Sequence, residues 1–260
     1  MSVKVQVSQL GPDGEWRHDL DMAVPEEPVA LVYNGISHVV MMATPADLKD
    51  FALGFSLSEG LIQRPDQIYD LVIEPAENGQ QVQLEIDGQS FQQLKNRRRQ
   101  LSGRSGCGLC GVDSLVQATR PVRSVTPQKI QPDSLTRALS QLSDKQPLNQ
   151  QTGAAHAAAW CDPDGHIQHI REDVGRHNAL DKLIGACQGD FSEGFALISS
   201  RASYEMVHKA CSVGIGAMAA VSAPTSMAID QAELAGLTLL GFARPGRYQR
   251  YHTHASGSSI

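Results

Sequence analysis

Short apolar runs separated by turn residues dominate the first hundred residues and predict β-strands. Residues 29–33 and 38–42 are apolar and flank Asn34-Gly35, a dipeptide typical of tight hairpin turns. A second pair of strands is predicted at residues 68–73 and 82–86. The pattern therefore indicates two β-hairpins in this part of the chain.

A helix is predicted between these hairpins. Thr44 is expected to be its N-cap, with Pro45 at the first helical position and Asp47 completing a capping box, and Gly60 is expected to end it. The apolar residues of its buried face are Leu48, Phe51, Ala52 and Phe55. Together these elements predict a small α+β unit, preceded by a polar and weakly structured segment over residues 1–22.

The next region combines helices with a third hairpin. An amphipathic helix is predicted near residues 133–143, capped by Asp133. Residues 154–161 and 166–170 have the composition of strands, and the Asp-Pro-Asp-Gly sequence between them is typical of a turn. Residues 171–178 then lead into another helix with one apolar face.

The last part of the chain alternates between strands and helices. Strands are predicted at residues 195–199, 217–221 and 237–243, and helices at residues 204–211 and 226–235. The expected caps of these helices are Ser203, Thr225 and, at a C-terminus, Gly236. Such alternation predicts a parallel sheet with right-handed crossovers.

Three arginines follow the ends of the predicted parallel strands. Ligands of such sheets bind beyond the carboxyl ends of the strands. The segments at these ends are residues 199–201, 222–224 and 242–247. Since guanidinium groups match phosphate oxygens, Arg201, Arg244 and Arg247 are expected to converge on an anionic ligand.

Composition narrows the classes of function. The 260 residues are 41% apolar and 19% charged, which is ordinary for a globular protein of one large or two modest domains. A net charge of −6 argues against a protein whose main role is binding nucleic acid. No secretion signal and no apolar stretch of the ~18 residues that a membrane span needs are found, so a cytoplasmic protein is expected.

The candidate chemistry lies in a glycine-rich segment that contains Cys107 and Cys110. The thiolate is the reactive form of cysteine, and the positive charge of Arg104 and of the arginine run before it favours that form. The neighbouring glycines let a partner molecule approach the sulfurs closely. An odd total of five cysteines fits a reducing compartment in which thiols stay free.

A change of composition precedes this segment. Over residues 90–105 the apolar pattern gives way to Gln, Lys, Asn and Arg, which predicts a linker and a domain boundary. The expected division is a small α+β domain over residues 1–100, a cysteine loop and linker over residues 101–126, and an α/β domain over residues 127–260.

Three functions of the cysteine pair remain open at this point. A zinc site needs two further ligands, and His156 is the best candidate for the third. A dithiol redox centre is a second possibility, although such motifs normally lie near the start of the chain. In the third, a persulfide carrier, one cysteine accepts a sulfur atom and passes it on. No bound metal is expected under this last interpretation.

The other candidate residues can also be explained by ordinary structural roles. Cys187 and Cys211 lie on apolar helix faces and Cys161 at a hairpin end, so packing is expected of all three. Asp173 and His177 lie at the start of a helix, where a capping role and a functional role are both open.

Several motifs resemble the formate dehydrogenase accessory sulfurtransferase family. They are residues 106–111, 153–158, 171–182, 199–201 and 241–244. The resemblance implies a cytoplasmic sulfur carrier that takes persulfide sulfur from a cysteine desulfurase. The carrier would deliver that sulfur to the molybdenum bis(molybdopterin guanine dinucleotide) cofactor before formate dehydrogenase receives it.

Residue roles follow from the same resemblance. It implies a persulfide on Cys107, assisted by Cys110, and contacts between the guanine dinucleotide and a segment near the chain's end. That segment consists of Phe242, Ala243, Arg244, Pro245, Gly246 and Arg247. A cytidine-deaminase-like mixed sheet in the larger domain and a homodimer are further implications. A zinc-stabilised chaperone that binds the cofactor without sulfur chemistry is the alternative.

Overall fold

The computed structural model describes residues 2–102 and 121–252, whose strands form three sheets. Helices pack between and beside these sheets, so the architecture is mixed α/β. Across these two ranges, no helix combines the length and apolar character that crossing a membrane requires.

A two-stranded antiparallel hairpin begins the chain, with β1 at Val3–Leu10 and β2 at Trp16–Ala23. The weakly structured segment predicted for residues 1–22 is therefore wrong. Three valines of β1 alternate with polar residues, which is a strand pattern, but most positions of the hairpin are exposed. The hairpin has a backbone hydrogen-bond ladder but few buried side chains. The hydrophobic pattern of the sequence therefore gave little indication of these two strands.

The second sheet has four strands in the order β4-β3-β6-β5. They are β3 (Glu27–Tyr33), β4 (Ile36–Ala43), β5 (Ile68–Ala76) and β6 (Gly79–Ile86). Both predicted hairpins are confirmed, and parallel pairing of β3 with β6 joins them.

The predicted helix after β4 is confirmed as α1 (Leu48–Ser58), but its N-cap was predicted wrongly. The N-cap residue is Asp47, whose backbone is left-handed with φ of 51°. Thr44 instead contacts the second half of the chain, because its hydroxyl accepts a hydrogen bond from the backbone N–H of Val174 at 3.1 Å. A long-range contact thus overrides the local capping pattern.

The polar stretch predicted as a linker forms a helix, α2 (Gly88–Ser102). The prediction is wrong for these residues because Gln, Lys and Arg favour helices even without an apolar period. Leu94 of this helix is buried. Residues 103–120 lie outside the described residues, and the three domain boundaries stay predictions.

The third sheet has six strands in the order β12-β11-β10-β9-β7-β8. They are β7 (His156–Cys161), β8 (Ile167–Asp173), β9 (Phe195–Ile198), β10 (Ala217–Ala220), β11 (Thr238–Arg244) and β12 (Arg247–His252). The parallel pairing of β9, β10 and β11 and the hairpin of β7 and β8 were both predicted. β12, an antiparallel edge strand, was not predicted.

The helices of the second half mostly follow the prediction. Among the described residues they are α3 (Pro132–Leu142), α4 (Pro147–Thr152), α5 (Arg176–Ala186), α6 (Tyr204–Ser212) and α7 (Ser226–Ala235). The short α4 was missed, and the N-cap of α3 is Gln131 instead of Asp133. Ser203, Thr225 and Gly236 occupy the predicted cap positions, and Gly236 has the left-handed φ of 78°.

One hydrophobic core extends from the four-stranded sheet to the six-stranded sheet. α1 and α5 cross within it at two glycines. A Cβ added at Gly54 would overlap the carbonyl oxygen of Asp181, and one added at Gly185 would overlap the carbonyl oxygen of Asp50. The absence of side chains at Gly54 and Gly185 therefore sets how closely the two helices approach.

A buried ion-pair network joins the same two helices to α6. Lys209 Nζ lies 3.0 Å from Asp181 Oδ2 and 2.9 Å from Glu59 Oε1. It also donates a hydrogen bond to the hydroxyl of Ser58 at 3.0 Å. Burial alone would lower the pKa of Lys209, but Asp181 and Glu59 outweigh burial and raise it. The lysine therefore stays charged and connects the two halves of the chain.

Candidate functional site

The ends of the three parallel strands lie side by side at one edge of the six-stranded sheet, here called the carboxyl edge. Val221 N donates to Ile198 O at 2.9 Å, and Phe242 N donates to Ser222 O at 3.1 Å. A parallel bridge pairs Ala202 with Pro224. The prediction that residues 199–201, 222–224 and 242–247 lie next to one another is therefore confirmed.

The start of β7 and the end of β8 lie at the same edge. Ser199 N donates to Ala157 O at 2.9 Å, and the Ser199 hydroxyl accepts a hydrogen bond from Ala157 N at 2.8 Å. His156 is the register partner of Asp173. The carboxyl edge thus carries residues 156, 173–177, 199–203, 221–225 and 242–247.

The predicted cofactor-binding segment forms the turn between β11 and β12 and its flanks. Arg244 pairs with Arg247 across the hairpin, next to an irregularity in the register. Pro245 and Gly246 are exposed at the turn, whereas Ala243 is buried in the sheet. The segment is therefore accessible everywhere except at Ala243.

Phe242 has an unusual backbone within this segment. Its φ is 51°, a left-handed conformation that is disfavoured for bulky residues, and the residue is 41% exposed. Strained positions of this kind cluster at ligand sites. The ring is therefore presented to solvent at the cost of local strain.

The three predicted arginines differ in how they are held. Arg244 Nη1 donates to the carbonyl oxygens of Val221 at 2.6 Å and Ala243 at 2.7 Å, so its guanidinium is fixed against the end of β10. Arg201 and Arg247 are exposed. Binding of one anion by all three stays a prediction.

Asp173, whose role the sequence left open, has a structural role. Its Oδ2 lies 2.7 Å from Lys182 Nζ and accepts a hydrogen bond from Thr44 N at 3.0 Å. Its Oδ1 accepts hydrogen bonds from Gly175 N at 2.7 Å and from the Asn178 side chain at 3.0 Å. With four donors on one buried carboxylate, Asp173 fixes the turn that leads into α5.

His177 pairs with a carboxylate from α6. Its Nε2 lies 3.1 Å from Glu205 Oε2, which also accepts a hydrogen bond from the Ser203 hydroxyl at 3.3 Å. Burial and the positive charge of Arg176 lower the pKa of His177, although Glu205 opposes them. The imidazole is therefore neutral near pH 7 and has a fixed orientation.

His156, the proposed third zinc ligand, is partly buried at the start of β7. Burial and the charge of Arg176 also lower its pKa. Within residues 2–102 and 121–252, no group of three or more His, Cys, Asp or Glu side chains is arranged to hold a metal. Zinc ligation that involves Cys107 or Cys110 stays a hypothesis.

Sequence reasoning did not single out Arg176, the first residue of α5. Its Nε is buried and makes no hydrogen bond in the described part of the chain. Because an arginine at a helix start is ordinary on a surface, its sequence position alone gave no signal.

The five cysteines fall into two groups. Cys107 and Cys110 lie outside the described residues. Cys161, Cys187 and Cys211 are free and buried, as the packing prediction expected. Burial raises the pKa of all three thiols, to about 12 for Cys187 and Cys211, so none is a nucleophile near neutral pH.

Comparisons with known proteins agree with the resemblance seen in the sequence. A sulfur carrier protein FdhD from Cupriavidus necator is 55% identical over 247 residues, covering 91% of this chain and 85% of that protein. A crystal structure described as a formate dehydrogenase accessory protein from Desulfotalea psychrophila has a TM-score of 0.78. The two chains are 22% identical in sequence, and the superposition covers 97% of each. This structural similarity confirms the mixed α/β fold.

A match to a family model supports the same assignment of the chain to a family. The model described as the FdhD/NarQ family matches residues 24–256, which include the carboxyl edge and both cysteines of the glycine-rich segment. Since the model spans most of the chain, and a relative shares more than half of its residues, this chain belongs to the FdhD/NarQ family.

Proposed function

We propose that the protein is a sulfurtransferase that carries sulfur from a cysteine desulfurase to the molybdenum bis(molybdopterin guanine dinucleotide) cofactor. The cofactor would receive the sulfur before its insertion into formate dehydrogenase. The observation that supports this proposal most is the 55% identity to a protein named a sulfur carrier. The cysteine pair of the glycine-rich segment supplies a chemically suitable carrier.

The first chemical step is a sulfur exchange. The Cys107 thiolate attacks the outer sulfur of the desulfurase persulfide, and the S–S bond of the donor breaks. The outer sulfur then forms a persulfide on Cys107, while the donor cysteine leaves as a thiolate. Cys110 assists or resolves this intermediate. On delivery, an electron pair of the acceptor would form the bond to the outer sulfur, the S–S bond would break, and Cys107 would leave as a thiolate.

The carboxyl edge is the proposed binding site for the cofactor. Arg201, Arg244 and Arg247 would contact its phosphate groups, and the fixed guanidinium of Arg244 needs little reorganisation on binding. The exposed ring of Phe242 is available to stack on a guanine base. The cofactor is cargo here, and no permanently bound group is proposed.

Further parts of the proposal concern the setting of the reaction. We propose a homodimer in the cytoplasm whose partners are a cysteine desulfurase and formate dehydrogenase. The six-stranded sheet with its helices is proposed to be the cytidine-deaminase-like part of the fold.

Mass spectrometry tests the sulfur transfer. After incubation with a desulfurase and cysteine, we expect a gain of one sulfur atom that a reductant removes and that maps to the peptide containing Cys107. Cys107→Ala should lose this gain, whereas Cys211→Ala, a change at a buried thiol, should keep it. A gain that persists in Cys107→Ala contradicts the assignment.

Metal analysis and nucleotide binding separate the alternatives. Stoichiometric zinc that is lost in Cys107→Ala or Cys110→Ala, without persulfide formation, would favour a zinc-stabilised chaperone. Arg244→Ala should weaken guanine-nucleotide binding and leave sulfur loading on Cys107 intact. Loss of both functions in Arg244→Ala would argue instead that the whole edge had been disrupted.

A further inference from the structure

The hairpin of β1 and β2 leaves large apolar side chains in water. Between 36% and 67% of the surface of five such residues is exposed: Val3, Val5, Leu10, Trp16 and Leu20. The two strands form a sheet of their own, which no third strand joins in the part of the chain that the structure describes. Since a hairpin of two strands is only marginally stable in water, a further strand would stabilise it.

The outer edge of β2 is accessible to another strand. β1 pairs with β2 along its whole length, from Val3 with Ala23 to Leu10 with Trp16, so the other edge of β2 is unpaired among the described residues. Every residue from Trp16 to Asp21 is exposed. Such an edge presents a row of N–H and C=O groups that readily pairs with a strand of another chain.

The sequence of β2 is complementary to itself when two copies run antiparallel. If a two-fold axis passes between the two copies of His18, Arg17 of each copy lies directly opposite Asp19 of the other. In the same register, Trp16 of each copy lies opposite Leu20 of the other. Opposite charges and apolar side chains that face each other in this way stabilise a sheet.

Other pairings of the hairpin fit less well. A register centred on Asp19 would place two Asp19 carboxylates directly opposite each other. β1 contains a single charged residue, Lys4, so two copies of β1 cannot form opposite-charge pairs. In the register centred on His18, Glu15 and Asp21 carry like charges and face each other, but Glu15 precedes β2 and lies outside the ladder.

We propose that β2 is a docking strand for a second copy of this chain. The two β2 strands pair antiparallel about an axis at His18, and the two hairpins become one four-stranded sheet. Leu10, Trp16 and Leu20 lie on one face of the hairpin, so the pairing brings the apolar residues of both copies together on one face. This inference rests on the homodimer of the proposed function and names its contact. It does not depend on sulfur transfer.

A charge exchange tests the contact. Analytical ultracentrifugation of the full chain measures the Kd of the dimer. Arg17→Asp and Asp19→Arg each create two like-charge pairs, so each should raise the Kd about 10-fold. The double variant Arg17→Asp/Asp19→Arg recreates two opposite-charge pairs and should recover most of the lost affinity. Arg64→Asp, a change at an arginine whose side chain is 72% exposed, is the control and should leave the Kd unchanged.

The recovery in the double variant separates the contact between copies from effects within one chain. Arg17 also forms an ion pair with Asp13 of its own hairpin. Both Arg17→Asp and the double variant lose that pair. Recovery of dimer affinity therefore reports the Arg17–Asp19 contact between two copies, and a double variant as weak as either single variant would overturn the proposal.

A disulfide crosslink tests the register. Residues directly opposite each other on antiparallel strands have Cβ atoms about 4.5–5.5 Å apart, which is close to what a disulfide needs. Oxidised glutathione should therefore link two copies of His18→Cys, and peptide mass spectrometry should map the bridge to the introduced thiols. Gln6→Cys is the control, because Gln6 lies on β1, away from the proposed axis. Crosslinking of Gln6→Cys but not of His18→Cys would overturn the proposal.

The remaining outcomes separate this inference from the rest of the proposed function. A dimer whose Kd is the same in Arg17→Asp, Asp19→Arg and the wild type would overturn the β2 contact and leave the homodimer intact. A monomeric wild type would overturn both. If Arg17→Asp instead weakens binding of the cysteine desulfurase by a monomeric chain, the edge serves that partner and the proposal is wrong. β2 lies before residues 24–256, which the family model matches, so sulfur loading should be unchanged in all these variants.

Discussion

Lys182 Nζ lies 2.7 Å from Asp173 Oδ2, and both side chains are completely buried. Breaking such a pair leaves one charge buried without a partner. We expect Asp173→Asn to lower the free energy of unfolding by about 3–5 kcal/mol. Urea denaturation monitored by circular dichroism measures this change.

An exposed ion pair provides the control for Asp173→Asn. Arg64 Nε lies 3.0 Å from Asp66 Oδ1, with 72% and 69% of the two side chains exposed. Asp66→Asn should change the free energy of unfolding far less than Asp173→Asn does, because water screens the exposed pair. Similar losses in the two variants would mean that burial does not determine the strength of the Lys182 pair.

The crossing of α1 and α5 gives a second prediction. A methyl group at Gly54 would overlap the carbonyl oxygen of Asp181, so the two helices would have to move apart. We expect Gly54→Ala to destabilise the protein by about 1–3 kcal/mol, as overpacking does. Gly88→Ala is the control, since a Cβ there meets no atom within 4 Å. Equal Tm values for the two variants would show that the crossing tolerates a wider separation.

The partly buried histidines predict a pH dependence. Burial, followed by Arg176, lowers the pKa of His156 and His177 in the folded protein. As the pH falls below about 6.5, the unfolded chain binds protons before the folded protein does. The stability that the neutral imidazoles provide is therefore complete above that pH and is lost as the pH falls towards the folded pKa values.

Two variants isolate this contribution. His156→Gln and His177→Gln should each reduce the fall in unfolding free energy between about pH 7.5 and pH 5.5, a range set by the ordinary histidine pKa. Urea titrations at several pH values provide the comparison. If both variants keep the full pH dependence of the wild type, other groups are responsible for it.

Cysteine reactivity gives a fourth prediction. Cys161, Cys187 and Cys211 are buried and have raised pKa values, so brief treatment with N-ethylmaleimide at pH 7.5 should leave them unmodified. We expect labelling of the peptide that contains Cys107 and Cys110. Peptide mass spectrometry should find the three other labels only after unfolding in guanidinium. Labelling of Cys211 in the native protein would contradict the buried position of this thiol.

Much of the fold was predictable because local and long-range signals agree. Asn34-Gly35 forms the turn between β3 and β4, and Gly236 takes the left-handed cap that its position after α7 predicts. Thr44 shows where local signals fail. Its partner Val174 lies 130 residues away in sequence, and this contact replaces the expected cap.

The candidate site was only partly predictable for a similar reason. The segments that follow the parallel strands could be predicted to lie close together, because strand order and direction determine where these segments meet. The pairing of Asp173 with Lys182 and of Glu205 with His177 arises only in the folded chain, and residue spacing does not specify these partners.

The shared hydrophobic core has a consequence for synthesis of the protein. Phe51 and Phe55 of α1 pack in the same interior as Leu180 and Leu183 of α5. A ribosome completes α1 long before α5 leaves the exit tunnel, so these aromatic side chains lack their α5 partners during that interval. The face of α1 that packs on α5 is therefore covered only after the carboxyl-terminal half of the chain has been translated.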